Sequence, residues 1–230
     1  MDERKQKLLA HIIEAHVKTA QPVGSNLISS SYMKDVSGPT VRNEMQELER
    51  SGYITHPHTS AGRIPTEAGY RLYLENMLAV RDLAEKHQKE FTAICRSEKD
   101  SETKVKTIAK KAAQLSGDAV VVGFSPNNVY YTGLSNIFGK PEFARHEKVV
   151  SISSVIDHLD EVMSQISARL DDDISVLLGS DNPFGDECGS VLATAKINSG
   201  MGVVGILGPM RMDYAKNIAF VKYIKKLLEQ

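Results

Sequence analysis

The sequence predicts an α+β chain in which a small helical domain, closed by a β-hairpin, precedes a larger domain of alternating strands and helices. Apolar residues recur at helical spacing in three successive segments before Gly52, and two short β-prone runs follow it. From residue 103 onwards, β-rich runs alternate with helical patterns. A chain of 230 residues is long enough for two domains. We place the domains at 1–75 and 103–230, with a linker helix and boundary at 76–102.

The composition argues against several classes of protein. No window approaches the roughly 18 consecutive apolar residues of a membrane span, and the charged start lacks the apolar core of a signal peptide. We therefore expect a cytoplasmic protein without membrane contact. Cys95 and Cys188 stand far apart and outside any CxxC motif, so the sequence predicts neither a disulfide framework nor a zinc site.

The charge balance is close to neutral, which is unusual for a protein that binds nucleic acid. The chain has 28 basic against 29 acidic residues, a formal net charge of −1. Residues 1–75 contain nine Lys and Arg against nine Asp and Glu. A positive surface on the first domain must therefore come from the arrangement of its charges rather than from their total.

Three helices are predicted in the first domain. An amphipathic pattern over 3–17 predicts the first helix, and Ser25 is the expected N-cap of a short second helix. In the third, Ser37 can cap the N-terminus, Pro39 suits the first turn and Gly52 ends the helix. The apolar positions of the third helix are Val41, Met45 and Leu48.

A hairpin and a long helix are expected to follow. Residues 53–55 and 63–66 can pair as short strands around a tip of small residues. A helical pattern then runs from Glu67 to Cys95, and we interpret it as one linker or packing helix. The polar stretch 96–104 has no apolar periodicity and is the best candidate for the domain boundary.

The second domain is expected to be a compact α/β unit suited to sensing or dimerisation. Runs rich in β-branched residues predict strands, and periodic apolar residues predict the helices between them. The expected strands are 118–124, 147–153, 173–179 and 202–208. The expected helices lie near 103–115, 154–170 and 213–229.

The outer face of the third helix carries the best candidates for reading DNA bases. With its apolar residues turned to the core, Thr40, Arg42, Asn43 and Gln46 lie on or near the opposite face. Arginine can donate two hydrogen bonds to guanine, and asparagine or glutamine can pair with adenine in the same two-bonded way. The alternative is that this polar face is simply solvated.

The hairpin adds candidate contacts to the DNA backbone. Its polar residues offer donors to phosphate oxygens, and an arginine beside Gly62 could reach a minor groove. These residues are His56, His58, Thr59, Ser60 and Arg63. The alternatives are an ordinary hairpin turn or a metal site at the two histidines, but no further ligand stands at a convincing spacing, so no metal is expected.

The sequence gives little support to catalysis or cofactor binding. The glycines of 200–208 lie inside an apolar, strand-like run, whereas a dinucleotide fingerprint needs them between a strand and a helix N-terminus. No grouping of Ser, His and Asp, or of Cys and His, has a recognisable catalytic signature. We therefore expect neither an enzyme nor a cofactor.

Several blocks of the sequence closely resemble the HrcA family of bacterial heat-inducible transcription repressors. The blocks that resemble its amino-terminal domain are PVGSNLI (22–28), PTVRNEMQELERSGYI (39–54) and HPHTSAGRIPTEAGYRLY (56–73). Those that resemble its carboxy-terminal signatures, in the same order, are VYYTGLSNIFGKPEF (129–143) and GVVGILGPMRMDYAKNIAFVKYI (202–224). Together these blocks frame nearly the whole chain.

The resemblance implies a winged helix-turn-helix domain joined to a GAF-like domain. It further implies a homodimer bound to double-stranded DNA at the inverted-repeat CIRCE operator, with the chaperonin GroEL as corepressor. Typical members have a longer middle region that includes a dimerising insertion, whereas only fifteen steps separate Gln114 from Val129 here, so the GAF-like domain is expected to be reduced. Two alternatives stay open: a winged-helix regulator controlled by a small ligand, and a protein-interaction module that does not bind specific DNA.

Overall fold

The structure is a computed structural model that describes residues 1–58, 61–125, 128–167, 170, 173–197 and 200–229. The chain divides into two compact units, Met1–Ala79 and Val80–Gln230. In the part of the chain that the structure describes, no helix is long and apolar enough to cross a membrane.

The first unit begins with three helices. They are α1 (Glu3–Thr19), α2 (Ser25–Leu27), which continues as a π-helical turn over Ile28–Tyr32, and α3 (Gly38–Arg50). The Asp2 carboxylate caps α1 by accepting a bond from the Lys5 amide at 2.9 Å, and Ser37 caps α3 as predicted. The expectation that Ser25 caps α2 is wrong by one residue: Gly24 is the N-cap, and Ser25 is buried in the first turn.

A short hairpin follows α3 and is tied to the loop between α1 and α2. Strands β1 (Ile54–Thr55) and β2 (Ile64–Pro65) are antiparallel, and Arg63 pairs through its backbone with Val23 at 2.7 and 2.8 Å. A side chain at Gly62 would place its Cβ only 2.6 Å from the carbonyl carbon of Val23. Glycine is therefore needed where these backbones meet.

The single helix predicted from Glu67 to Cys95 is wrong, because the structure contains two helices. Helix α4 (Glu67–Asn76) closes with a bond from the Leu78 amide to the Tyr73 carbonyl, which does not continue an α-helix, and α5 (Glu85–Ser97) begins later. The apolar residues between Glu67 and Cys95 contribute to two separate cores, since Tyr70 is buried in the first unit and Leu83 in the second.

The polar stretch 96–104 joins two helices within the second unit rather than separating the two units. Helix α5 ends at Ser97, and α6 (Ser101–Ser116) begins after Asp100, whose carboxylate accepts a bond from the Thr103 amide at 2.7 Å. The apolar side of α5 belongs to the second unit because Phe91 packs edge-on against Phe220. Polarity here marks an exposed turn between helices.

A five-stranded sheet forms the centre of the second unit. The strands are β3 (Ala119–Ser125), β4 (Asn128–Thr132), β5 (Ser175–Leu178), β6 (Cys188–Ile197) and β7 (Gly200–Pro209). Their order is β4-β3-β7-β6-β5, and each neighbouring pair in this sheet is antiparallel. The register aligns Val121 with Gly205 and Gly205 with Leu192. Strands β4 and β6 were not predicted, whereas the other three were.

Helices surround this sheet. The remaining ones are α7 (Leu134–Phe138), α8 (His146–Asp157), α9 (Leu159–Ser167) and α10 (Tyr214–Leu228). The strand predicted at 147–153 is wrong, since this segment belongs to α8. Its Ile152, Val155 and Ile156 recur at helical spacing and pack in one cluster with Val121 of β3. The β-branched residues suggested a strand, but their spacing fits a helix face.

A buried polar cluster joins the two carboxy-terminal blocks of sequence. Asp118, which is 3% exposed, forms an ion pair with Lys140 and accepts a hydrogen bond from Asn217 Nδ2 at 2.8 Å. Asn136 Nδ2 donates to the Asp118 carbonyl at 3.1 Å. Residues from 129–143 and from 202–224 therefore converge on one aspartate at the start of β3.

Candidate nucleic-acid interface

The outer face of α3 carries the predicted base-reading residues in an exposed position. Val41 and Leu48 are completely or almost completely buried, and Arg42, Asn43 and Gln46 are exposed. Thr40 is half-buried, and its hydroxyl lies 2.8 Å from the hydroxyl of Ser37, the N-cap. The spacing of apolar residues along the helix thus separates a core face from a polar face with arginine, asparagine and glutamine available for hydrogen bonds.

A concave, largely polar surface continues from α3 to the base of the hairpin. Its lining includes Arg42 and Gln46 of α3, Asn26 of α2, and Gly62 and Arg63 beside β2. Candidate residues that are separate in sequence therefore share one groove. Sequence reasoning missed Asn26, which is exposed; its position within the block PVGSNLI, one residue after the expected cap, was the only signal for it.

The hairpin loop presents a different picture from α3. His58 is exposed, and Thr59 and Ser60 lie outside the described residues. Arg63 is engaged within the protein, because its Nε and Nη2 donate to Glu49 Oε2 at 2.9 and 2.8 Å. His56, which the sequence analysis also considered as a phosphate donor, is bonded through Nδ1 to the other carboxylate oxygen of Glu49.

The carboxylate of Glu49 therefore has two side-chain partners, Arg63 and His56. Partial burial raises its pKa, but the hydrogen bond from His56 and the charge and hydrogen bonds of Arg63 together outweigh burial and hold the pKa below its ordinary value of 4.5. The carboxylate is therefore ionised at neutral pH. It occupies Nε and Nη2 of Arg63, the side-on pair of nitrogens through which a guanidinium can bind a phosphate in the two-bonded mode.

The acidic residues of the first unit are largely taken up by internal ion pairs. These pairs include Arg4–Glu44, Lys5–Asp2, Lys5–Glu47, Lys7–Glu3, Arg63–Glu49 and Arg71–Glu67. Within 1–58 and 61–79, Arg42 and Arg50 have no acidic partner, and both are exposed. Although the first domain has no net charge, two unneutralised cations stand on α3.

In the described residues, the two histidines of the hairpin do not belong to a cluster of potential metal ligands. Across the described ranges, no three side chains of His, Cys, Asp and Glu come close enough to hold an ion. His56 instead bonds to Glu49, and His58 is exposed. The described part of the hairpin therefore offers hydrogen-bond donors and acceptors rather than a ligand set.

One solved structure has the same fold over the whole chain. It is described as the crystal structure of a hypothetical protein at 2.2 Å resolution, and it superposes with a TM-score of 0.79. The likeness covers 100% of this chain and 96% of the other, at 17% sequence identity. At this identity the similarity shows the fold alone.

Sequence comparison is more specific. Relatives named heat-inducible transcription repressor HrcA include that of Carboxydothermus hydrogenoformans, 27% identical over an alignment that covers 100% of this chain and 98% of the relative. That alignment has 335 positions and this chain 230 residues, so the remaining 105 have no counterpart here. The relative from Acetivibrio thermocellus is 46% identical over 83 residues, which are 36% of this chain and 24% of that protein.

The family comparison covers most of the second unit and the end of the first. A family model described as the HrcA protein C-terminal domain matches residues 67–218. This range includes the whole sheet and the residues that converge on Asp118. The chain belongs to the HrcA family.

Proposed function

We propose that this chain is a transcription repressor that binds double-stranded DNA as a homodimer. In this proposal residues 1–75 form a winged helix-turn-helix domain, with α3 as the recognition helix and the hairpin as the wing. The second unit, Val80–Gln230, forms a reduced GAF-like regulatory and dimerisation domain. The observation that carries the proposal is the exposed face of α3, where Arg42 has no acidic partner among the described residues and Asn43 and Gln46 are exposed.

The chemistry of this face suits the major groove. A recognition helix inserts its N-terminal half into that groove, where Arg42 would donate to O6 and N7 of guanine. Asn43 or Gln46 would pair with N6 and N7 of adenine, and Thr40 lies near the N-terminal end of α3, which faces the DNA backbone in this geometry. Each such pair contributes roughly 1–3 kcal/mol of discrimination between bases.

The wing would contact the DNA backbone. His58, together with Thr59 and Ser60, which follow it in the sequence, would donate to phosphate oxygens, which fixes orientation without reading sequence. Arg63, which the sequence analysis assigned to the same role, is engaged by Glu49. We therefore assign Arg63 to holding the wing in place.

A titration against two duplexes tests this function. The intact protein is titrated against a labelled CIRCE-type inverted repeat and a scrambled duplex of equal length, at two salt concentrations, with fluorescence anisotropy as the readout. Selective, salt-sensitive binding that saturates at two chains per duplex is the expected result, since the symmetry of a dimer matches that of an inverted repeat. Equal binding to both duplexes would contradict operator recognition.

The proposed partner GroEL is tested in the same titration. If GroEL acts as corepressor, its addition should increase the fraction of active repressor and shift the operator curve to lower protein concentration, with the scrambled duplex as control. A curve that does not move would contradict this part of the proposal and leave DNA recognition unaffected. An inactive chain that gains operator binding with GroEL would support it.

A further inference from the structure

We propose that Glu49 is a positioning residue that fixes the wing against α3 and thereby sets the preference for operator over other DNA. This inference rests on the proposed function, because it concerns the same DNA-binding surface. Glu49 itself touches no base in this scheme. It acts through Arg63 and His56, whose positions determine where the wing loop leaves the hairpin.

The carboxylate of Glu49 closes the base of the wing loop. His56 directly follows β1, and Arg63 directly precedes β2, so these two residues are the first and last of the loop 56–63. His56 bonds to one oxygen of Glu49, and Arg63 makes two contacts with the other, at 2.9 and 2.8 Å. One side chain of α3 therefore holds both ends of the loop.

The hairpin needs this support because its own ladder is short. Two residue pairs connect β1 and β2, one of which contains Pro65, which has no amide hydrogen to donate, and one further bond runs from the Thr66 amide to the Tyr53 carbonyl at 3.1 Å. An isolated two-stranded hairpin is at best marginally stable in water. The contacts to Glu49, together with the pairing of Arg63 and Val23, supply further bonds that fix the direction of the loop.

The same contacts relate the wing to the base-reading face. Glu49 lies one helical turn after Gln46, and Arg63 lines the same groove as Gln46 and Arg42. A change in the Glu49–Arg63 contact would therefore alter the distance between the wing base and the reading residues. Such a change would weaken the operator complex, in which both must fit at once, more than a non-specific complex.

A competing role for Glu49 is to neutralise the charge of Arg63, which would otherwise bind phosphate. The two roles predict opposite results. If Glu49 positions the wing, its removal lowers the preference for the operator. If Glu49 only neutralises Arg63, its removal frees this cation, raises the affinity for both duplexes and steepens the salt dependence by about 0.9 for each new phosphate contact. Burial favours the first role, since the side chains of Glu49 and Arg63 are only 23% and 21% exposed.

The first test compares Glu49→Gln with Glu47→Gln in the full-length protein. Both variants remove one negative charge from α3, but Glu47 pairs with Lys5, is 52% exposed and does not touch the wing. For Glu49→Gln we expect the ratio of operator to scrambled affinity to fall about fivefold, the effect of replacing a charge-assisted bond by a neutral one. Glu47→Gln should leave the ratio unchanged. Equal effects of both variants, or a rise in affinity for both duplexes, would overturn the proposal.

A second measurement does not require DNA. Amide hydrogen exchange at Thr55 and Ile64 should become faster in Glu49→Gln and stay unchanged in Glu47→Gln, because the contacts of Glu49 hold the hairpin closed. Unchanged exchange in Glu49→Gln would refute the role of Glu49 in holding the hairpin. If exchange is faster in Glu49→Gln but the wild-type protein shows no preference for the operator, the proposed function is refuted and the structural role of Glu49 is not. The two failures are therefore distinguishable.

Arg63→Lys provides a further discrimination. Lysine keeps the positive charge but cannot make the paired contacts of a guanidinium with one carboxylate. A positioning role predicts that the operator preference falls as in Glu49→Gln, with an unchanged salt slope. Retention of full operator preference by Arg63→Lys would overturn the proposal, because a simple cation would then suffice.

Discussion

Arg42 is the residue on which direct base recognition depends in the proposed function. Arg42→Ala should cost roughly 1–3 kcal/mol on the operator and much less on a scrambled duplex, because only the operator presents the correct base edge. Arg50→Ala is the matched control, since Arg50 is also exposed on α3 and has no acidic partner in the described residues. An equal loss on both duplexes in anisotropy titrations would identify Arg42 as a phosphate contact.

The depressed pKa of Glu49 gives the hairpin a defined pH response. A carboxyl group whose pKa is lower in the folded state contributes stability above its unfolded value, and this contribution is lost as the pH falls through the folded value. The Glu49 contribution should therefore be present at pH 7 and disappear below 4.5. Urea titrations should show wild type more stable than Glu49→Gln at pH 7, with the difference shrinking towards pH 3. A constant difference would contradict this assignment.

The exposed face of α3 was predictable because it follows from one local periodicity, whereas the role of Glu49 was not. Val41, Met45 and Leu48 alone determine which side of the helix is buried, as the structure confirms. The Glu49–Arg63 contact joins residues fourteen positions apart in different elements. No spacing rule links a helix C-terminus to the start of a later strand, so this contact emerges only from the fold.

At the scale of elements, the packing of α4 reverses an ordinary helix preference. Alanine is usually about 1 kcal/mol better than glycine inside a helix. A Cβ at Gly69, however, would lie 2.1 Å from the Tyr53 carbonyl oxygen, so α4 would have to move away from the segment after α3. Gly69→Ala should therefore lower the free energy of unfolding by about 1–3 kcal/mol, the usual cost of overpacking.

The control for this substitution is Gly24→Ala. Gly24 has no atom within 4 Å of an added Cβ, and its φ of −87° suits any residue. Urea denaturation should show little change for this variant. If Gly69→Ala were equally harmless, α4 could shift freely, and the close contact with Tyr53 would not limit the packing of the first unit.

Helices and strands were predicted correctly where a single hydrophobic period ran through the segment. They were predicted wrongly where the same pattern of residues fits two different structures. Helices α1, α3, α6 and α10 were predicted to within a few residues of their observed ends. The stripe from Glu67 to Cys95 looked continuous because apolar residues of two cores happen to follow each other. Strand β6 was missed because it is buried on both faces except at Lys196, and such a strand has no alternation of polar and apolar residues.

For the whole molecule, the near-zero charge conceals an uneven distribution. Ion pairs in the first unit bind the three glutamates Glu44, Glu47 and Glu49 of α3 to lysine and arginine residues of neighbouring elements. The charges that remain unneutralised on α3 are positive. Net charge alone would have argued against a nucleic-acid interface, and the sequence could not show which charges cancel, because pairing depends on three-dimensional neighbours.

The buried cluster around Asp118 should dominate the stability of the second unit. Asp118→Ala leaves the Lys140 ammonium group without its partner, and breaking a buried ion pair in this way costs about 3–5 kcal/mol. Glu187→Ala is the control, because its pair with Lys148 is 49% and 35% exposed and should contribute less than about 1 kcal/mol. Urea titrations of both variants provide the measurement. Similar losses would mean that Asp118 is not a centre of stability.

The convergence on Asp118 also limits how this sequence can be recombined with those of other family members. A chimera that replaces only 129–143 or only 202–224 would place Asp118 beside residues from another family member, where they pack against a different set of neighbours. It would then bury either an unmatched charge or an amide without its acceptor. Such a chimera should therefore exchange three residues together, Asp118, Lys140 and Asn217, although 99 positions separate the first from the last.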